Sequence, residues 1–209
     1  KNVSFTRCPF EHHASQWTTA VEHPSVHTEW VLTLDADYIL DDSFIQELES
    51  LDPGNTTTAY QSEFIYCING HPLPHSLYPP RVVLARKNSL SFYLDGHTQR
   101  QKVKGEVEKL RSKLQHDDRK PESLWQLSQQ KYAEREARKL VDSIASELSW
   151  SSLTRKYTAF SPYLITVYLG LYKGLWFAGV NGKLYIRQRV YFERLSQREL
   201  QKSRQSATH

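Results

Sequence analysis

The stretch that decides the fold is Glu29-Trp-Val-Leu-Thr-Leu34, an apolar run that ends abruptly in Asp35-Ala36-Asp37. Its length and β-branched content predict a buried strand with the two acids at its carboxyl end. Asp41-Asp42-Ser43 then caps a predicted helix that shows one apolar face, made by Phe44, Ile45, Leu48 and Leu51. This order predicts an α/β domain in which Asp35 and Asp37 project into the crevice beyond the strand ends, where open α/β sheets bind ligands.

Further along the chain, short strand patterns alternate with turns. Residues 59–68 alternate polar and apolar side chains and lead into Asn69-Gly70, which is the strongest short hairpin signal. Residues 82–85 predict another strand, and residues 90–107 predict a set of short strands. Residues 121–148 carry apolar side chains every three to four positions, which predicts a long amphipathic helix.

The composition bounds the class of protein. With 39% hydrophobic and 24% charged residues, the 209-residue chain is typical of a globular protein. Its net charge of +4 is too small to indicate a nucleic-acid partner, and we predict none. Cys8 and Cys67 lie in no metal-type spacing, so we expect two free thiols. The sequence contains no Met, so we expect a processed chain or a piece of a longer one.

The last third differs in composition. Residues 163–180 are apolar nearly all round but contain Lys173, and their length is near the lower limit for spanning a bilayer. After Asn181-Gly182, residues 183–204 carry seven Lys or Arg against two Glu, in a basic amphipathic pattern. We predict a first domain over residues 1–150 and, over residues 151–209, a helical extension. Its residues 160–204 are expected to bind a membrane surface peripherally. The alternative is a helical hairpin packed on the domain, or a subunit interface.

Asp35 and Asp37 are the first candidates for chemistry. Hard oxygen ligands in this position suit Mg²⁺ or Mn²⁺, which bridge to diphosphate oxygens and neutralise charge on a leaving group. The alternative is a pair of solvated acids in a strand-to-helix turn, with Asp37 acting as a cap.

A second cluster precedes the long helix, where an anion is also favoured. His116 is a candidate metal ligand, and Asp117 or Asp118 is a candidate general base. Arg119 and Lys120 are candidates for holding phosphates. The alternative is that the acids cap the helix and the cations are solvated.

Two further groups of residues are weaker candidates. Asp95 and His97 place an acid and a histidine after a strand, as a catalytic pair or as structural residues. Tyr78-Pro79-Pro80-Arg81 is either a rigid loop that lines an acceptor site or a turn without a ligand.

Together these motifs resemble a known family. Trp30-Val-Leu-Thr-Leu-Asp35-Ala-Asp37-Tyr38, followed by Leu40-Asp-Asp-Ser-Phe44, resembles the central motif of family-two inverting glycosyltransferases of the GT-A fold. A bacterial subgroup of surface-polysaccharide and lipopolysaccharide-core enzymes is similar over roughly residues 1–150. The motifs that carry this likeness are Tyr78-Pro-Pro-Arg81, Gly96-His-Thr-Gln99, His116-Asp-Asp-Arg-Lys-Pro121 and Gln129-x-x-Tyr132-x-x-x-Glu136-Ala137.

The resemblance implies a nucleotide-diphosphate sugar donor, a divalent metal and inversion at the anomeric carbon. Asp37 would bind the metal, Asp35 would contact the metal or the donor ribose, and His116 would resemble the late metal-ligating histidine. Because Thr98 follows His97 where many relatives carry an acid, three residues stay candidates for the base, namely Asp95, Asp117 and Asp118. Candidate substrate-binding residues are Asp35, Arg81, His97, Arg119 and Lys120.

The resemblance also sets the expected fold and setting. Family members open with a Val-Ser-Val-Ile-Ile-Pro strand and nucleotide-binding βα units that this sequence lacks, so we expect the later part of a GT-A (Rossmann-like) domain. The implied acceptor is a polysaccharide, a lipopolysaccharide core or a lipid-linked oligosaccharide at the cytoplasmic face of the inner membrane. Two alternatives stay open: an inactive, truncated or membrane-anchoring module, and a metal-dependent phosphohydrolase that uses Asp35, Asp37 and His116.

Overall fold

The structure is a computed structural model that describes residues 3, 5–9, 11–95 and 98–206. Its described part is a mixed α/β fold with two four-stranded sheets and a two-stranded ribbon. The strands are β1 (Trp30–Leu32), β2 (Tyr38–Ile39), β3 (Thr57–Ser62), β4 (Phe64–Ile68), β5 (His71–Pro72), β6 (Arg81–Arg86), β7 (Leu90–Asp95), β8 (Thr98–Val103), β9 (Glu106–Lys109) and β10 (Leu114–His116). The helices are α1 (His13–Glu22), α2 (Asp42–Ser50), α3 (Glu122–Asp142), α4 (Trp150–Tyr157), α5 (Ser161–Val167) and α6 (Gly179–Ser206).

The first sheet has the order β1-β6-β3-β9. Strand β6 runs antiparallel to both β1 and β3, and β3 runs parallel to β9. The predicted strand before Asp35 is present but shorter than predicted, and it pairs with β6 alone among the described strands. Its residue Leu32 is exposed, so only part of the predicted buried run is buried.

Helix α2 covers this sheet and is built as the sequence indicates. The Asp41 side chain accepts a hydrogen bond of 2.8 Å from the backbone N–H of Phe44, which caps the helix. Phe44 is fully buried among Tyr60, Val83 and Leu114. The predicted apolar face is therefore confirmed at Phe44, while Ile45 is exposed instead.

The second sheet has the order β2-β10-β4-β5. The predicted hairpin at Asn69-Gly70 is confirmed, since it joins β4 to β5 with Ile68 paired to His71. Both turn residues have positive φ, 52° for Asn69 and 80° for Gly70, as a two-residue hairpin turn with right-handed strand twist requires. Strand β10 lies between β2, to which it is antiparallel, and β4, to which it is parallel.

The C-terminal helices differ from the prediction in two places. Helix α3 ends at Asp142, because Ser143 turns to an extended conformation, so the predicted continuation to residue 148 is wrong. Helix α6 continues through Asn181-Gly182, which was predicted to interrupt it. The chain instead turns at Gly174 and Gly179, both with positive φ, and a Cβ on Gly182 would lie 2.2 Å from the carbonyl oxygen of Leu175.

Helix α6 packs lengthwise on α3. Two apolar clusters join them: Phe192 and Leu195 contact Ala133, while Leu200 contacts Ala137 and Leu140. The basic helix therefore has one packed face, as the hairpin alternative expected, and one exposed face. None of the helices in the described ranges is both long and apolar enough to cross a membrane.

Candidate functional site

Strand pairing in the second sheet brings distant segments of the chain to one place. His116, the last residue of β10, pairs with Tyr38 of β2 on one side and with Tyr66 of β4 on the other. The next residue, Asp117, donates its backbone N–H to the carbonyl oxygen of Asp37 at 3.0 Å. The Asp-x-Asp turn and the His116–Lys120 segment, which are far apart in sequence, therefore meet.

Asp37 and His116 are in direct contact. The Oδ2 atom of Asp37 lies 3.2 Å from Nε2 of His116, and the histidine side chain is largely buried. The hydrogen bond with His116 holds the pKa of Asp37 below its usual value of 3.8, although partial burial opposes this shift. Asp37 Oδ1 and His116 Nδ1 are buried and have no hydrogen-bond partner among the described residues, so both atoms are left for a ligand.

Tyrosine rings surround His116. Tyr78 stacks on it with ring centroids 4.4 Å apart, and the rings of Tyr66 and Tyr38 lie at 5.0 and 5.6 Å. The hydroxyls of Tyr38 and Tyr78 share a 2.7 Å hydrogen bond. Burial raises the pKa of Tyr38 and of Tyr78, so both hydroxyls stay protonated near neutral pH. Sequence reasoning missed Tyr38 and Tyr66 as site residues, although Tyr38 directly follows Asp37.

Arg81 lies at the edge of this aromatic cluster. Its guanidinium carbon is 5.3 Å from the centre of the Tyr78 ring. Its Nε is buried with no hydrogen-bond partner in the described part of the chain. The predicted Tyr78–Arg81 segment therefore does border the site, with a cation that has donor capacity left.

Asp117 is almost wholly buried, and its carboxylate is engaged. One oxygen accepts a hydrogen bond of 3.1 Å from the backbone N–H of Gly70, and the other accepts one of 2.6 Å from Nε of Arg119. Burial by itself would raise the pKa of Asp117, but these hydrogen bonds outweigh it and hold the pKa below its usual value. This geometry gives Asp117 a structural task, which is to fasten the β4–β5 turn to the segment after β10.

The turn also lies close to its partner. A Cβ on Gly70 would lie 3.0 Å from Nη2 of Arg119, a crowding that a small shift of this exposed guanidinium would relieve, so the positive φ of 80° is what favours glycine there. The hairpin signal at Asn69-Gly70 is therefore also a part of the site's support.

Asp118 and Lys120 are more accessible. The Asp118 carboxylate accepts Nζ of Lys120 at 3.0 Å, and about half of the lysine side chain is exposed. Partial burial by itself would lower the pKa of Lys120. The charge of Asp118 outweighs burial, with a smaller contribution from Asp37, so the pKa lies above its usual value. The Arg119 side chain is 67% exposed beyond its contact with Asp117. Lys120 is therefore close enough to Asp37 for their charges to interact, whereas Arg119 is held at Asp117.

The candidate carboxylates do not cap the helices that follow them. Asp41, and not Asp37, caps helix α2. Pro121 is the N-cap residue of α3, and no side chain makes a capping hydrogen bond there. The interpretation of Asp37, Asp117 and Asp118 as helix caps is therefore wrong.

The remaining candidates are less informative. Asp35 is exposed in the turn, where its carbonyl oxygen accepts the N–H of Tyr38 at 3.1 Å. The backbone of Asp95 ends strand β7 opposite Thr98. The Asp95 side chain and the whole of His97 lie outside the described residues.

The donor set permits a divalent metal only with help from a substrate. Among the described residues, no group of three or more His, Cys, Asp or Glu side chains is arranged to hold a metal ion. Mg²⁺ commonly binds one or two protein groups and completes its shell with waters and substrate phosphates. The unpartnered Oδ1 of Asp37, beside His116 and exposed Asp35, fits that incomplete kind of site.

Comparisons with known proteins are negative. No protein-family model matches this chain, and it has no significant match among curated proteins or among solved structures.

Proposed function

We propose that this chain carries part of the active site of a metal-dependent, inverting glycosyltransferase related to the GT-A fold. The observation that supports this most is the Asp37–His116 pair, in which Asp37 Oδ1 and His116 Nδ1 are buried and unpartnered among the described residues and the charge of Lys120 interacts with Asp37. The resemblance of the motifs points to the same residues. A nucleotide-diphosphate sugar is the proposed donor, and a polysaccharide, lipopolysaccharide-core or lipid-linked oligosaccharide is the proposed acceptor.

Asp37 and His116 would hold Mg²⁺ or Mn²⁺, with Asp35 contacting the metal or the donor ribose. When bound, the metal would neutralise charge on the diphosphate. Lys120 and Arg119 are proposed to bind the diphosphate oxygens, because both are exposed cations on the short segment that follows His116. Arg81, whose Nε is unpartnered among the described residues, is proposed to bind either substrate.

Asp118 is the proposed general base. The Asp117 carboxylate is 1% exposed and is held by two separate segments, at Gly70 and at Arg119. Asp118 is 20% exposed, and its two oxygens accept hydrogen bonds from Lys120, one from the backbone N–H at 3.3 Å and one from Nζ at 3.0 Å. In the reaction, the acceptor hydroxyl gives its proton to the carboxylate and its oxygen bonds to the anomeric carbon. The bond from that carbon to the diphosphate oxygen breaks, and the nucleoside diphosphate leaves with the electron pair. Asp95 is kept as the alternative base.

The site supports glycosyl transfer better than phosphoester hydrolysis. A metal-dependent phosphohydrolase that works by the two-metal route needs more protein donors to hold two ions. The described residues contribute no such group around Asp37 and His116. A donor set that relies on substrate phosphates suits a nucleotide-diphosphate ligand.

The first test is binding. Uridine, guanosine, cytidine and thymidine diphosphates should be titrated into the chain by calorimetry, with and without Mn²⁺. One of them should bind at least 10-fold more tightly with Mn²⁺, and Asp37→Asn should remove that gain. Asp42→Asn is the matched control, because this exposed acid on α2 makes no hydrogen bond or ion pair with Asp37 or His116 in the described part of the chain. If no nucleoside diphosphate binds in the presence of Mn²⁺, the proposal fails, and an inactive or anchoring module is the better interpretation.

The second test is turnover. The same chain should be incubated with nucleotide sugars and Mn²⁺ while the release of nucleoside diphosphate is followed. Asp118→Asn should lower the rate by at least 100-fold without weakening nucleotide binding. Full activity in Asp118→Asn would remove this residue as the base and would leave Asp95.

A further inference from the structure

A contiguous apolar surface lies on the outer side of α5 and the turns that follow it. We call it the aromatic patch, and its exposed members are Tyr163, Leu164, Val167, Tyr168, Leu171, Tyr172, Phe177 and Val180. The inner side of the same segment is packed, since Leu169 and Leu175 are fully buried against Tyr185 and Ile186 of α6. Single exposed apolar side chains are ordinary, but a patch of this extent marks an interaction surface.

A row of cations runs along the exposed face of α6. We call it the basic stripe, and it consists of Lys183, Arg187, Arg194, Arg198 and Lys202. At 3.6 residues per turn these five positions fall within about 100° of the helix circumference. The two acids of α6 are largely buried: Glu193 is paired with Arg155, and Glu199 lies beside Gln130 and also pairs with Lys202 of the stripe. The stripe therefore presents positive charge, which Glu199 offsets in part at Lys202 near one end.

The patch and the stripe meet at the start of α6. Val180, which is 77% exposed, precedes Lys183 by three residues and Arg187 by seven, so it shares their face. Lys173 adds a cation inside the patch, with Nζ 5.8 and 5.6 Å from the ring centres of Tyr168 and Tyr172. The two features form one surface that is apolar at one end and cationic along its length.

The chemistry of this surface favours a lipid bilayer over a protein partner. Tyrosine concentrates where an apolar region meets water, as in the headgroup layer of a membrane. The core of a protein–protein interface is depleted of charged residues, whereas this surface joins an apolar end to five cations along one helix face, as in helices that lie on anionic bilayers.

We propose that the aromatic patch and the basic stripe together bind the surface of an anionic lipid bilayer. Helix α6 lies along the membrane plane with its cations among the headgroups. The patch inserts its apolar side chains to the depth of the acyl-chain boundary, roughly 5–10 Å. Only the exposure and charge of these residues support membrane binding, so a negative result would leave the proposed glycosyl transfer untouched.

The test is co-sedimentation of the whole chain with vesicles. Vesicles of phosphatidylcholine alone are compared with vesicles that contain 30% phosphatidylglycerol. The wild-type chain should partition strongly to the anionic vesicles and much less at 0.5 M salt. Each Lys or Arg near an anionic surface changes partitioning by about 5-fold. The triple variant Arg187→Gln/Arg194→Gln/Arg198→Gln should therefore bind on the order of 100-fold more weakly. The patch variant Tyr172→Ser/Phe177→Ser should lose at least 10-fold.

Matched controls separate this surface from general stickiness. Lys102→Gln/Lys104→Gln/Lys109→Gln removes three exposed cations from β8, from β9 and from the turn between them, and it should bind anionic vesicles nearly as well as the wild type. Tyr93→Ser/Val107→Ser removes two exposed apolar side chains of β7 and β9, with the same expectation. Equal losses in a test variant and its control would overturn the proposal.

Sedimentation velocity over a range of protein concentrations tests the competing occupant, a second copy of the chain. A monomer in solution that binds anionic vesicles is the expected result. A concentration-dependent dimer that Tyr172→Ser/Phe177→Ser abolishes, together with no binding to anionic vesicles, would show that the patch is a subunit interface.

Discussion

Replacing Asp117 tests how the candidate site is held together. Its carboxylate accepts one hydrogen bond from Gly70 and one from Arg119, and only 1% of its side chain is exposed. A hydrogen bond to a charged group contributes roughly 1.5–3 kcal/mol. The Arg119 contact is discounted to roughly 0–1 kcal/mol, because that side chain is mostly exposed and is screened by solvent.

Asp117→Ala should therefore lower the free energy of unfolding by roughly 2–4 kcal/mol. Asp117→Asn keeps one oxygen acceptor for the N–H of Gly70 but loses the charge and puts an NH₂ donor where an oxygen accepted from Arg119, so it should cost about 1–2 kcal/mol. Arg119→Met should cost less than about 1 kcal/mol. Asp118→Asn should stay within about 0.5 kcal/mol of the wild type, because its ion pair is exposed. Urea unfolding followed by the fluorescence of the five tryptophans measures all four variants.

The order of these losses in the free energy of unfolding distinguishes a structural role of Asp117 from a catalytic one. An Asp117→Asn variant as unstable as Asp117→Ala would show that charge, and not the hydrogen bond to Gly70, holds the turn. A stable Asp117→Ala variant that lacks turnover would refute the assignment of Asp117 as a structural residue and return it to the candidate bases. The adjacent pair separates the two roles, since Asp118→Asn is expected to lose turnover and keep stability.

Three further results are expected. Arg155→Met removes a cation that is paired with two largely buried glutamates, Glu136 and Glu193, and it should cost about 3–5 kcal/mol in urea unfolding. A loss below about 1 kcal/mol would contradict burial of this network. Gly182→Ala places a Cβ against the Leu175 carbonyl oxygen and should cost about 1–3 kcal/mol in the same assay. In the control, Gly54→Ala, the Cβ has no neighbour closer than 3.6 Å, so stability should change by less than about 0.5 kcal/mol. The pKa of Asp37 is lowered from 3.8 on folding, so its contribution to stability is present above pH 3.8 and is lost as pH falls through the lower folded value. The free energies of unfolding of Asp37→Asn and wild type, measured from pH 7 to pH 2.5, should therefore converge only in that acid range.

Local signals in the sequence predicted local structure well. Asp41 before an apolar face predicted the start of α2, and Asn69-Gly70 predicted the β4–β5 hairpin. In both places the residues that carry the signal also make the stabilising contact, through a capping oxygen or a positive φ. The α/β class followed from the same local patterns and is confirmed in its coarse form.

Contacts that depend on tertiary packing were harder to predict from the sequence. Asn181-Gly182 reads as a helix break, but packing on Leu175 requires a glycine there and the helix continues. Tyr66 carries no chemical signal in its own segment, because it joins the site only through the parallel pairing of β4 with β10. The joint role of Asp37 and His116 was inferred from the family resemblance, and their contact in the structure supports it. Nothing in the spacing of the two residues would have predicted it.

The proposed site and the proposed membrane surface are connected through one buried side chain. Tyr185 of α6 accepts the backbone N–H of Leu77 at 2.8 Å, and its ring lies 5.2 Å from that of Tyr66. Tyr66 in turn contacts His116. Because the basic stripe occupies the opposite face of the same helix, α6 sets the distance between His116 and any surface on which the stripe rests. A fixed height above the lipid is what transfer to a lipid-linked acceptor would need, whereas a freely diffusing acceptor would not require it. Activity that rises with anionic vesicles only for a lipid-linked acceptor would therefore join the two proposals.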